Sequence, residues 1–115
     1  MLFRSALDGG ELLVFALIVC VGAPLVEELF FRGLLQPRMV GRLGVVPGIV
    51  VTSLLFGAAH LIGWAGAISL VQAWAIAASG LVLGYLRHQT GRLGPAILAH
   101  LFFNAQVVAL VAVLG

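Results

Sequence analysis

No Asp, Glu, Lys or Arg occurs between Arg42 and Arg87, a run of 44 residues, and another 23 uncharged residues follow Arg92. A helix that crosses a bilayer needs roughly 20 mainly apolar residues. The longer run is therefore sufficient for two spans joined by a tight hairpin, and the shorter one for a further span. Only 9% of the residues are charged and 63% are hydrophobic, against roughly 25% charged in an average soluble domain. A water-soluble helical core of this composition would have too little polar surface to cover it. The sequence therefore predicts an all-α membrane protein, a bundle of about four transmembrane helices with a polar intramembrane cavity.

Residues 1–115 read as a single membrane domain, without internal repeats, linkers or low-complexity segments. The first helix is expected to start near Glu11 and to run toward Gln36, kinked at Pro24. Pro37 and the stretch Arg38 to Gly44 are expected to form the first loop. The second helix is placed at Val46 to Ile62, with Gly63 and Gly66 marking the turn after it. The third is placed at Ala67 to Arg87, and the fourth opens at Pro95 and ends near Leu114. Gly80 and Gly84 give a small-xxx-small spacing that favours close helix packing.

Arg38 and Arg42 fall in one expected loop, and Arg87 and Arg92 flank another on the same side. The positive-inside rule makes that side cytoplasmic. Residues Met1 to Gly10 include Arg4 and Asp8 and lack a small-residue cleavage site, which argues against a cleaved signal peptide. Arginines scattered at helix ends form no nucleic-acid footprint. Cys20 stands alone in an apolar run, which excludes a disulfide framework. An arginine-rich, lysine-free composition points to a bacterial chain, and so to a multi-pass protein of the cytoplasmic membrane.

Five polar residues and one arginine break this apolar pattern. Glu27, Glu28 and Arg32 share one helix, where a central charged residue costs roughly 2.5–3.5 kcal/mol on insertion scales. Glu28 and Arg32 stand at i, i+4 and can pair on one face, while Glu27 is turned by about 100°, leaving its carboxylate free for chemistry. His60 lies late in the second helix. His100 and Asn104 are at i, i+4 on the fourth and share a face. A lone intramembrane histidine is often a hydrogen-bonded core residue, but two histidines, an asparagine and a spare glutamate on three helices provide a base, its partner and hydrogen-bond donors. His88, beside Arg87, reads as ordinary surface.

Residue counts dispose of several proteolytic chemistries. There is no His-Glu-x-x-His motif, and Asp8 is the sole aspartate, so a two-aspartate mechanism is impossible. Ser79-Gly80 lacks the glycine that would make it resemble a rhomboid nucleophile, and Cys20 has no electropositive neighbour to activate it.

Glu27-Glu28-x-x-x-Arg32-Gly33, Phe56-x-x-x-His60 and His100-x-x-x-Asn104 resemble the successive motifs of the CAAX-protease and bacteriocin-processing (CPBP, or Abi) family of intramembrane proteases. Leu83-Gly84-Tyr85 and Thr90-Gly91-Arg92-Leu93-Gly94-Pro95 are similar to the segment before its last motif. The resemblance spans about residues 24–104, although family members usually carry extra helices before the first motif. It implies that Glu27 and His60 activate a water molecule, that His100 and Asn104 stabilise the oxyanion, and that Glu28 and Arg32 hold the site. Its substrate would be a peptide within or beside the membrane.

No cofactor is required in the preferred reading; the alternative places Zn²⁺ on Glu27, His60 and His100 with one open position. A different class of function is a non-catalytic bacteriocin self-immunity factor or membrane scaffold with the same fold. The sequence leans toward the enzyme, because a scaffold has no reason to bear the insertion cost of the full polar set. The four site residues are then expected to converge on one cavity. At 1.5 Å per residue, Glu27 lies roughly 14 Å from Gln36 and His60 roughly 21 Å from Val46. Tilt of the second helix, or a re-entrant first loop, must close that gap.

Overall fold

The computed structural model describes residues 8–62 and 69–114, and these are organised as four helices. Helix α1 is Gly9–Leu43, α2 is Val45–Leu61, α3 is Leu70–Thr90 and α4 is Gly94–Leu114. Helices α1, α3 and α4 are long and apolar enough to cross a membrane, and α2 is apolar but shorter, at 17 residues. Large apolar side chains cover the outside: Val46, Val71 and Val113 are 70%, 78% and 79% exposed. Such a surface is stable against lipid and not against water. The chain is an integral membrane protein. The expected turn residues Gly63 and Gly66, and Ala67 and Arg4, lie outside the described residues.

Helix α1 starts two residues earlier than expected, at Gly9. Asp8 accepts a hydrogen bond from the Glu11 amide at 2.7 Å, and Glu11 accepts one from the Asp8 amide at 3.0 Å, a reciprocal cap that satisfies two otherwise orphaned donors. Ser69 and Gln72 close α3 in the same way.

The expected first loop is helix. Residues Gln36–Leu43 continue α1, and the chain reverses at Gly44 alone, where φ is +92°, a conformation that L side chains rarely adopt. This correction also removes the depth mismatch. Counted from the turn, Glu27 stands about 24 Å from Leu43 and His60 about 23 Å from Val45, so the hairpin sets them level.

Proline is accommodated in α1 by two π-helical turns, Ile18–Gly22 and Phe31–Leu35. In the first, the Ala23 amide donates to the Ile18 carbonyl; the next amide in that register belongs to Pro24, which has no N–H. The carbonyl left over is that of Val19. In the second, the Gln36 amide donates to Phe31, and Pro37 leaves the carbonyl of Arg32. Each is taken by a side chain from another helix: Asn104 Nδ2 donates to Val19 at 2.9 Å, and Arg87 Nε donates to Arg32 at 3.2 Å. Neighbouring helices thus replace the hydrogen bonds that proline removes, as hydrocarbon surroundings demand.

Helices α2 and α3 are in close contact at Gly57, where a Cβ would stand 2.6 Å from the Ala73 carbonyl oxygen. Helix α4 packs on the N-terminal half of α1 and on α3. Its depth is fixed by Leu93, whose Cδ1 lies 3.2 Å from where a Cβ on Gly33 would be. Glu27 is six residues from Gly33 and His100 seven from Leu93, so these two side chains are also nearly level.

Candidate active site

Three side chains from three helices meet in the interior. His60 Nε2 stands 3.4 Å from Glu27 Oε2, and His100 Nε2 stands 3.9 Å from Glu27 Oε1. One imidazole thus faces each carboxylate oxygen. The Glu27 and His60 side chains are 26% and 31% exposed, while that of His100 is 7% exposed. The group is reachable from one side and embedded on the other.

The opposite nitrogen of each ring is held by an acceptor. His60 Nδ1 is 2.7 Å from the carbonyl of Phe56, one turn earlier on α2. His100 Nδ1 is 2.8 Å from Glu28 Oε1. Each Nδ1 therefore carries the ring's proton and donates it. The Nε2 that faces Glu27 then carries a proton only in the cationic ring, and otherwise presents a lone pair.

Glu28 does more than balance Arg32. The pair is present, with Arg32 Nη1 at 3.0 Å from Glu28 Oε1 and both side chains fully buried. The same oxygen receives His100 Nδ1, so one carboxylate orients both the arginine and the histidine. Arg32 extends further, donating through Nη2 to the Gly80 carbonyl at 2.9 Å. Its guanidinium also lies 4.4 Å from the centre of the Phe56 ring, within cation–π range.

Phe56 is the apolar floor of the site. It is 2% exposed and meets His60, His100 and Phe31 edge to face, at centroid distances of 4.9, 5.7 and 5.1 Å. It had stood in the sequence only as the first residue of a motif.

Asn104 bonds α1 at a main-chain carbonyl. One N–H of its amide is committed to the Val19 carbonyl, which leaves the second. His88 is exposed, as expected of a surface residue.

Gly80 and Gly84 have a role the sequence did not reveal. A Cβ on Gly80 would lie 2.8 Å from Arg32 Nη2, and one on Gly84 would lie 2.6 Å from Gln36 Oε1. Gln36 Nε2 donates to the Gly84 carbonyl at 3.0 Å. The small-residue spacing thus admits two buried polar side chains of α1, as well as bringing helices together. Gln36 was itself missed, although its place four residues after Arg32 and eight after Glu28 was the available signal.

The arrangement can hold a water molecule on a carboxylate beside two imidazoles, and among the described residues no three His, Cys, Asp or Glu side chains are grouped as metal ligands. Residues 9–106 match the family model described as Rce1-like, type II CAAX prenyl endopeptidase. No curated protein and no solved structure matches the chain.

Proposed function

The chain belongs to the Rce1-like family of type II CAAX prenyl endopeptidases, and on that premise we propose that Glu27 and His60 activate water for hydrolysis of a peptide bond at or within the membrane. Membership carries protease activity in general; the division of labour is our reading. The observation that supports it is the pair of Nε2 atoms facing the two oxygens of Glu27.

In this mechanism Glu27 accepts a proton from the bound water, and the oxygen adds to the carbonyl carbon of the substrate. The resulting oxyanion takes hydrogen bonds from His100, whose Nε2 donates when the ring gains a second proton, and from the second N–H of Asn104. Glu27 then returns the proton to the nitrogen, the C–N bond breaks, and an acid and an amine leave. Donors fixed before the reaction, in a site of low dielectric, are worth far more than the same donors in water. Glu28 and Arg32 fix the His100 ring. The 3.9 Å between His100 and Glu27 is longer than a direct hydrogen bond.

A metal reading is supported by one specific feature. Both Nδ1 atoms donate to oxygen acceptors, the outer-shell pattern that orients histidine ligands, although the described residues form no ready ligand group and the three side chains would have to draw together. Glu27, His60 and His100 would hold Zn²⁺, which when bound supplies a more acidic water and polarises the carbonyl.

The deciding experiment is cleavage of a membrane-inserted peptide library by purified protein, wild type against Glu27→Gln, before and after chelation. We expect cleavage by wild type that survives chelation, and cleavage slower by about 10²–10⁴-fold in the variant. Cleavage by Glu27→Gln at the wild-type rate overturns the assignment.

A further inference from the structure

Hydrolysis consumes water, yet Glu27 is placed in a bundle whose outer surface is apolar. Glu28, Arg32 and Gln36 follow one another at four-residue steps on α1; Glu28 pairs with Arg32, and Arg32 and Gln36 both donate to carbonyls of α3, so the three share one interior face. They are 0%, 0% and 2% exposed. Each carries one buried polar atom with no hydrogen-bond partner among the described residues: Glu28 Oε2, Arg32 Nε and Gln36 Oε1.

Other interior polar groups are satisfied locally. Thr52 and Ser53 donate to the carbonyls of Gly48 and Ile49 at 2.8 and 2.7 Å. The three unpartnered atoms are therefore confined to one stripe. Their order is acceptor, donor, acceptor. An anion could serve only the arginine, and a cation only the two oxygens. Water donates and accepts, and internal waters characteristically satisfy buried groups of this kind.

Both ends of the stripe lead somewhere. Gln36 lines a cavity of about 380 Å³ together with Pro37, Gly41, Arg87 and His88, at the basic end of the bundle. Glu28 holds His100, whose Nε2 faces Glu27. We propose that internal waters occupy the Glu28–Arg32–Gln36 face and form the supply route from the basic cavity to Glu27. The proposal rests on the hydrolytic reading above, and its substrate is water itself.

Gly41 offers the means of testing it, because a Cβ there would meet nothing within 4 Å. A Gly41→Cys variant is made with Cys20→Ala, and the new thiol is modified from the aqueous phase with a bulky maleimide. Unmodified protein is expected to cleave peptide like wild type. Complete modification, verified by intact mass, is expected to lower kcat at least tenfold with KM unchanged. In the same samples a hydroxyl-radical pulse is expected to oxidise buried Phe56, and modification to suppress that oxidation.

Full kcat after complete modification overturns the route, as does a raised KM with unchanged kcat, which would make the cavity a substrate entrance. Phe56 oxidation independent of the plug also overturns it. The radical pulse needs no turnover, so the route is tested even if Glu27→Gln proves fully active and the hydrolytic assignment fails.

Discussion

His100 Nδ1 lies 2.8 Å from Glu28 Oε1, the same oxygen that receives Arg32 Nη1 at 3.0 Å. A single buried carboxylate therefore joins the helix that carries the candidate base to the helix that carries its second histidine. Adjacent glutamates consequently have different functions. Glu28 holds the frame, and Glu27 faces the rings.

The two carboxylates are separable by mutation. Glu28→Ala leaves Arg32 buried without its counter-charge, a loss of about 3–5 kcal/mol, and should lower both the yield of folded protein in membranes and its melting temperature in detergent. Glu27→Gln should melt like wild type while kcat falls by about 10²–10⁴-fold. Equal melting and equal activity of the two variants would contradict the split.

Asn104 and Pro24 should be coupled through the Val19 carbonyl. Asn104→Ala removes the donor to the Val19 carbonyl, an interhelical hydrogen bond worth about 0.6–2 kcal/mol. Pro24→Ala returns a main-chain N–H to that carbonyl. The stability cost of Asn104→Ala should therefore shrink in the Pro24→Ala background, measured as a double-mutant cycle. The kcat loss of Asn104→Ala, about 10²–10³-fold for an oxyanion donor, should persist in both backgrounds. If stability and kcat are restored together, Asn104 acts only as a helix tie.

Gly80→Ala should disturb the site without touching a reactive group. Its Cβ would come within 2.8 Å of Arg32 Nη2, which donates to the Gly80 carbonyl. Forcing the guanidinium aside costs about 1–3 kcal/mol and should displace Glu28 and His100 with it. Thermal melting and kcat should both fall. Gly41→Ala, where the added Cβ meets open space, should change neither.

Chelation separates the two chemistries that the three groups allow. With Glu27 as base, cleavage survives exhaustive treatment with a strong chelator, and elemental analysis finds no stoichiometric metal. Activity lost on chelation and restored by Zn²⁺ would transfer Glu27, His60 and His100 to a ligand set.

The sequence by itself determined the solvent of this protein and the contents of each helix face. Charge-free runs longer than a bilayer is thick permit nothing but membrane helices, and an i, i+4 spacing obliges Glu28 and Arg32 to meet. Both follow from intervals along one helix. The tertiary structure decided what lies opposite each face. Whether His100 reaches Glu28 as well as Glu27, which carbonyl Asn104 caps, and why Gly80 and Gly84 lack side chains all depend on the register between helices. That register is set by a reversal at Gly44 alone and by two π turns on either side of Ala23–Phe30. Each π turn changes the pitch on which face assignment rests, so short intervals within α1 could be read from the sequence but the facing of its two halves toward the other helices could not.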